Sequence, residues 1–258
     1  MMHLTGRLIF VKPKKVGGST LEFLLSSVCD SGDALTPLSI HEDCRRYQRD
    51  YQLPVNVFAS TSDEHAYHHV IKSLCENINE IGLASSKVNQ PGLWRKAQLL
   101  KMHARVKNHA SLRDIQAFVG KEAFWTTPLV SICRHPYELA VSQASWDLRK
   151  GEVTSFDEAL DAVVSKPHLN LRRYGLHRRW RGKRTPFTLI LRLEELDDGL
   201  RHLAALTRCE MKAEVPRLKS GVRFDERPAG AILTYAQKQA MERHNRPLFD
   251  LWDNPPSL

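Results

Sequence analysis

The chain has 258 residues, of which 42% are apolar and 26% charged, a composition typical of a globular protein with a full core. Lysine and arginine number 38 against 29 aspartate and glutamate residues, and the net charge of +9 favours anionic partners. No run of about eighteen apolar residues is present, which argues against a membrane-spanning helix. No linker, repeat or low-complexity run divides the sequence, so we expect one domain over residues 1–258.

The cysteines indicate a reducing compartment. There are five, an odd number without a Cys-x-x-Cys pair, at Cys29, Cys44, Cys75, Cys133 and Cys209. The first predicted strand begins by about Arg7, which would leave no room for a secretory signal peptide. We therefore expect free thiols and a cytoplasmic protein.

The first predicted elements are a strand, a basic loop and a helix. An apolar run from Leu8 to Val11 precedes a loop with two adjacent glycines, and apolar residues at helical spacing follow from Leu21. Adjacent glycines let backbone N–H groups approach a ligand closely, and a helix N-terminus favours negative charge. The expected ligand is a phosphate or a group of similar shape. The residues predicted to hold it are Lys14, Lys15, Val16, Gly17, Gly18, Ser19 and Thr20.

The order of residues in this loop argues against an ATP- or GTP-binding loop. Such a loop places its lysine after the last glycine and directly before a hydroxyl residue. Here Lys14 and Lys15 precede both glycines, and no glycine opens the turn. An ordinary basic turn remains the alternative to an anion-binding loop.

The middle of the chain mainly predicts helices. After a short strand at 55–59, a capping box and an apolar stripe predict a helix over 61–82. Residues 83–101 read as irregular. Ser111, followed by an aspartate three residues later, predicts the start of another helix.

A second strand-to-helix junction follows. Leu129–Cys133 is an apolar run typical of a buried strand, and Pro136 suits the first turn of the next helix. Arg134 therefore lies at the end of the strand and Ser142 two turns into the helix. Arg134 can bind phosphate oxygens through its planar guanidinium, and Ser142 can donate from its hydroxyl. This predicts a second phosphate-binding point.

Together the two junctions resemble the donor-binding motifs of sulfotransferases. Lys15, or Lys14 if the motif is shifted by one place, matches the lysine of their 5′-phosphosulfate loop, and Arg134 with Ser142 matches their 3′-phosphate motif. The resemblance implies 3′-phosphoadenosine 5′-phosphosulfate (PAPS) as the donor and adenosine 3′,5′-bisphosphate as the product. It also implies the sulfotransferase fold, an α/β fold with a P-loop-like, mostly parallel central sheet flanked by helices.

A weaker resemblance concerns the catalytic base. His-Ala-Ser at 109–111 resembles a segment that carries a histidine near the acceptor hydroxyl in carbohydrate-type sulfotransferases. It implies catalytic roles for His109 first and His103 second, beside Lys15. The acceptor would offer a hydroxyl or an amine, and a carbohydrate or glycolipid is expected. A histidine that packs beside the helix is the alternative for His109.

The last third of the chain predicts a helix at 156–164, a buried strand at 187–192 and a final helix at 234–245 that Pro247 ends. Strand 187–192 also resembles a late core strand of sulfotransferases. The basic segment 217–223 is a loose match to a loop that closes over the nucleotide in that family.

Three further features of the sequence concern other functions. A basic cluster around Trp180 could bind nucleic acid, but such clusters are more often solvated faces, and no nucleic-acid partner is expected; it comprises Arg172, Arg173, Arg178, Arg179, Arg181, Lys183 and Arg184. His65 and His69 stand one helical turn apart without an evident third ligand, so no metal site is predicted. A nucleotide-binding relative without catalysis stays open, and the sequence does not predict the oligomeric state.

Overall fold

The computed structural model of the chain describes residues 1–81, 90–177, 185–209 and 224–257. Its centre is a five-stranded sheet in the order β3-β1-β2-β4-β5. The strands are β1 (Met2–Leu4), β2 (Leu8–Phe10), β3 (Ala34–Leu35), β4 (Leu129–Cys133) and β5 (Leu189–Arg192). Strands β2, β4 and β5 run parallel, whereas β1 is antiparallel to both of its neighbours. The predicted α/β class is confirmed, with a mixed sheet that is parallel in its centre.

The register of the parallel strands decides which loops meet. Ile9 pairs with Leu129, and the Val11 N–H donates to the Val130 carbonyl at 2.9 Å. Strand β4 continues in register with β5 from Val130 onward. Because the carboxyl ends of parallel strands share one edge of the sheet, the residues that follow β2, β4 and β5 lie together there.

Helices flank the sheet. They are α1 (Gly18–Ser26), α2 (Ile40–Asp50), α3 (Thr61–Ile81), α4 (Pro91–Met102), α5 (Leu112–Val119), α6 (Lys121–Thr126), α7 (Pro136–Arg149), α8 (Phe156–Val164), α9 (Asn170–Arg173), α10 (Leu196–Thr207), α11 (Ala229–Ile232) and α12 (Tyr235–Asp253). A single turn of 3-10 helix, Leu193–Glu195, links β5 to α10. The main apolar core surrounds the strands, every residue of β4 being buried, and a second apolar cluster joins α7, α8, α11 and α12.

Most helices with strong end signals form as predicted. Helix α3 runs from Thr61 to Ile81, α5 begins after a capping box between Ser111 and Asp114, and α8 has the predicted bounds. Arg172 and Arg173 of the predicted basic cluster lie in α9, whereas the rest of the cluster, within 178–184, and the predicted closing loop at 217–223 lie outside the described residues.

Two predictions were wrong. Segment 55–59 makes two isolated bridges rather than a strand, and residues 91–102 form a helix with Pro91 in its first turn, where a missing N–H costs little. The last helix is interrupted at Asn245, where its end was predicted, with φ of −129° and ψ of 21°. The Asn245 side-chain oxygen accepts a hydrogen bond from the His168 N–H at 2.6 Å and holds this kink. The sequence did not predict that the helix resumes beyond the kink, through Pro247 to Asp253.

A buried ion pair fixes the start of the basic loop. Lys12 Nζ lies 3.1 Å from Glu22 Oε2 in α1, and the two side chains are 3% and 0% exposed. The other oxygen of Glu22 accepts from the Thr36 hydroxyl at 2.8 Å and from the Met1 amino group at 3.3 Å. These contacts join β1, the end of β2, the segment after β3 and α1 at one point.

We expect Glu22→Gln to lower the free energy of unfolding by about 3–5 kcal/mol, because it leaves the buried Lys12 ammonium without its charge partner. Burial opposes ionisation of Glu22, but the Met1 amino group and Lys12 outweigh it and hold the pKa of this carboxyl below its ordinary value of 4.5. A carboxyl whose pKa is lowered by folding stabilises the fold above its unfolded pKa, and this stabilisation is lost as the pH falls.

Urea unfolding of the wild type and of Glu22→Gln between pH 7 and pH 3 measures both effects. The exposed pair of Lys150 with Glu152 supplies the control, since Glu152→Gln should cost less than about 1 kcal/mol. Equal losses in the two variants, or an unchanged pH dependence in Glu22→Gln, would contradict the role given to the buried pair.

Candidate anion-binding site

Two glycines shape the loop between β2 and α1. Gly17 has φ of 74°, and a Cβ there would lie 2.5 Å from the Leu193 side chain. A Cβ on Gly18 would lie 2.7 Å from Cγ of Lys12. Side chains of the protein itself therefore press against both glycines, and no larger residue fits at either position without displacement.

Helix α1 begins directly after this loop. Helix α1 begins at Gly18 after a Gly17 N-cap that provides no side-chain hydrogen bond. Within this first turn, the Thr20 N–H donates to the Gly17 carbonyl at 2.9 Å. Ser19, Thr20 and Val16 are all buried, and Val16 belongs to the apolar core. A glycine turn directly before a helix N-terminus is an arrangement that anion-binding loops use.

The lysines of the loop lie in different places. Lys12 is buried in the ion pair with Glu22. Lys15 adopts φ of 62°, and its ammonium lies 4.1 Å from the ring centroid of Trp146 in α7. Trp146 follows Ser142 by one helical turn, so the Lys15 side chain reaches the helix that carries the second predicted motif.

Asn170 holds the backbone of Lys14 and was not predicted from the sequence. Its side-chain oxygen accepts from the Lys14 N–H at 2.9 Å, and its side-chain N–H donates to the Lys14 carbonyl at 2.8 Å. Asn170 is fully buried, and its own N–H donates to Nδ1 of His168 at 3.1 Å. The two contacts pair with the Lys14 backbone as a neighbouring strand would, although Asn170 lies 156 residues further along the chain.

Arg134 follows β4 and lies between two carboxylates. Its Nη2 is 3.3 Å from Oε2 of Glu138, one turn along α7, and its Nε is 4.0 Å from Oε1 of Glu194. Glu194 also accepts from the His135 N–H at 3.3 Å. Burial is the main cause that raises the pKa of Glu194 above its ordinary value. No role was predicted for Glu194. It lies beside Arg134 because β5, which it follows, is parallel to β4.

Ser142 lies in α7 and is partly buried, two turns beyond Arg134. The His135 side chain caps this helix by accepting from the Tyr137 N–H at 3.3 Å, and Pro136 occupies its first turn. The cap and the proline explain why the chain turns into a helix directly after Arg134. The predicted strand end, helix start and serine are thus positioned as the sequence indicated.

His109 lies beside the loop, and its hydrogen bond defines its tautomer. Its Nδ1 is 3.1 Å from the carbonyl oxygen of Lys12. Since a carbonyl oxygen only accepts, Nδ1 carries the hydrogen and Nε2 keeps its lone pair. Burial, followed by the charge of Lys12, lowers the pKa of His109 to about 3, and Arg173 contributes in the same direction. The imidazole is therefore neutral at physiological pH.

His103, the second candidate base, has different neighbours. It lies at the end of α4 with its side chain 53% exposed, and its Nδ1 is 3.0 Å from Oδ1 of Asp63 in α3. Its contacts connect α4 to α3 rather than to the basic loop. The structure therefore brings His109, and not His103, into contact with the loop.

Within the described ranges, no group of three metal-ligating side chains is close enough to hold an ion, and no helix has the length and apolar character needed to cross a bilayer. Neither a family model nor a curated protein nor a solved structure matches the chain.

The pKa of about 3 for His109 predicts that its imidazole stays neutral from pH 8 to about pH 4 and protonates only below. We expect ¹⁵N-edited NMR to detect an Nδ1–H tautomer throughout this range, because the Lys12 carbonyl accepts from Nδ1. His109→Gln identifies the signal. A midpoint near the ordinary histidine value of about 6.5, or an Nε2–H tautomer, would contradict this placement.

Proposed function

We propose that this protein is a PAPS-dependent sulfotransferase that transfers a sulfuryl group to a hydroxyl or amine of an acceptor, a carbohydrate or glycolipid. One observation carries the proposal. The parallel register of β2 and β4 brings the glycine loop, with the neutral His109 beside it, and the Arg134–Ser142 junction to the same edge of the sheet. A donor with phosphate at both the 5′ and the 3′ position needs two anion-binding points of this kind.

The residues at the two points fit phosphate groups. The N–H groups that begin α1 and the Lys15 ammonium would bind the 5′ end, while Arg134 and Ser142 would bind the 3′-phosphate. Lys15 rests on Trp146, one turn beyond Ser142, so α7 contributes to both points. Arg134 would exchange part of its contact with Glu138 and Glu194 for the phosphate.

The chemistry needs a base and a charge-stabilising group. PAPS would supply a sulfuryl group whose sulfur bonds to the acceptor oxygen or nitrogen as its bond to the 5′-phosphate oxygen breaks, with the electron pair leaving on that oxygen. His109 would take the acceptor proton at Nε2, its free nitrogen. Lys15 and the first N–H groups of α1 would stabilise the charge on the departing phosphate oxygen.

A bound anion would raise the low pKa of His109. Burial and nearby cations keep the free imidazole a weak base. A dianionic ligand among those cations opposes their field, which raises the pKa of His109 and strengthens it as a base in the complex. The base would therefore become effective only when the donor is in place.

The proposal is tested by thermal unfolding with adenosine 3′,5′-bisphosphate, compared with ATP and AMP. A ligand at about one hundred times its dissociation constant adds roughly 2.7 kcal/mol, a shift of about 5–10 °C for a chain of this size. We expect a selective shift with the bisphosphate. Arg134→Ala should lose it, whereas Arg149→Ala, which removes an exposed charge from the same helix, should keep it. No shift, or an equal one with ATP, would contradict the proposal.

A nucleotide-binding protein without catalysis is the second candidate, and the pKa of His109 favours it, since an imidazole with a pKa of about 3 is a weak base. Both candidates predict the bisphosphate shift. They differ in turnover, because only a sulfotransferase consumes PAPS in the presence of a panel of glycan acceptors, with a rate that His109→Gln abolishes.

Glu194→Gln should strengthen bisphosphate binding roughly two- to five-fold, because it removes about 0.5–1 kcal/mol of repulsion beside Arg134. Burial raises the pKa of Glu194, so the wild-type carboxyl gains a proton, and loses its repulsion, at a higher pH than an ordinary glutamate. The advantage of the variant should accordingly shrink as the pH falls.

Isothermal titration at several pH values measures this effect. Glu195→Gln is the matched control, since Glu195 pairs with Arg192 at 3.1 Å instead of Arg134. Weaker binding in Glu194→Gln, or equal changes in the two variants, would place the 3′-phosphate away from Arg134.

A further inference from the structure

Arg173 lies on α9, a short helix that contacts the loop after β2 and the end of β4. Helix α9 begins at Asn170, which clamps the Lys14 backbone, and Arg173 follows one turn later. The next residue, Tyr174, is buried and donates its hydroxyl to the Ile132 carbonyl of β4 at 2.8 Å. The segment that carries Arg173 is therefore held between the loop that follows β2 and the end of β4.

The guanidinium of Arg173 lacks a counter-charge within the described parts of the chain. Its Nε is buried and has no hydrogen-bond partner there, and no described carboxylate forms an ion pair with it. Burial lowers its pKa, yet a guanidinium remains protonated at neutral pH. A partly buried positive charge without a partner is costly, and an anionic ligand would remove that cost.

The charge of Arg173 acts on two nearby histidines. Its charge lowers the pKa of His109 and, after burial, is the largest influence that lowers the pKa of His168 to about 4. Lys14 acts on His168 in the same direction. The largest charge effects on both histidines come from lysine and arginine, whereas Arg134 has two glutamates beside it.

We infer that Arg173 is a donor-binding residue that holds the oxygens of the transferred sulfuryl group. The inference rests on the proposed function, in which the sulfuryl group lies between the loop that binds the 5′-phosphate and the His109 base. Helix α9, which carries Arg173, contacts the loop through Asn170, and the charge of Arg173 acts on His109. The planar fork of a guanidinium matches two oxygens of a sulfuryl group.

The test compares the affinities for PAPS and for adenosine 3′,5′-bisphosphate, which differ by the sulfuryl group. Isothermal titration without acceptor gives both dissociation constants for each variant. Arg173→Gln should weaken PAPS binding about 10- to 100-fold, the effect expected for hydrogen bonds between charged groups, and bisphosphate binding less than about three-fold. Arg172→Gln, which removes the exposed neighbouring charge, is the matched control and should change neither by more than about two-fold.

The outcomes separate this inference from the proposed function. Equal losses for both ligands would assign Arg173 to the 5′-phosphate, and equal losses in Arg172→Gln would indicate a long-range field; either result overturns the inference while leaving a donor site. If the wild type binds neither ligand, the proposed function fails and the inference fails with it. Arg173→Gln should unfold without ligand at the wild-type temperature or above, since it removes an uncompensated charge, and Arg173→Lys should recover only part of the PAPS affinity.

Discussion

The buried ion pair between Lys12 and Glu22 is the contact on which the site depends. Lys12 uses three of its groups at once: its ammonium pairs with Glu22, its methylene chain packs against Gly18, and its carbonyl accepts from His109. The pair thereby fixes the end of β2, the start of α1 and the imidazole relative to one another. A single desolvated charge pair of this kind is costly to break, which keeps the loop in one conformation.

The two ends of the site differ in charge compensation. Arg134 lies beside Glu138 and Glu194, and its positive charge is partly neutralised before any ligand binds. On the side of His109, Lys12 is paired with Glu22, whereas Arg173 forms no ion pair with a described carboxylate. An anion gains more from Arg173 than from Arg134, because no carboxylate among the described residues forms an ion pair with Arg173. This asymmetry favours firm binding of the donor's reacting end near Arg173. At the other end, the phosphate would replace glutamate contacts of Arg134.

The parts of this arrangement with local signals were predictable. The glycine loop, the strand end at Arg134 and the helix begun by Pro136 each depend on neighbours within a few residues, and the structure places them as expected. The contacts of Asn170 and Glu194 were missed, because their partners lie 156 and 59 residues away. Strand β1 was missed for a related reason, since three residues carry too short a pattern to identify a strand.

A crystal structure with adenosine 3′,5′-bisphosphate tests the site most directly. We expect the 5′-phosphate to lie against the N–H groups at the start of α1 within reach of Lys15, and the 3′-phosphate to contact Arg134 and Ser142. His109 should keep its hydrogen bond to the Lys12 carbonyl. A bisphosphate bound away from the junction of β2 and β4, or bound there with its 3′-phosphate remote from Arg134, would contradict the assignment of the two anion-binding points.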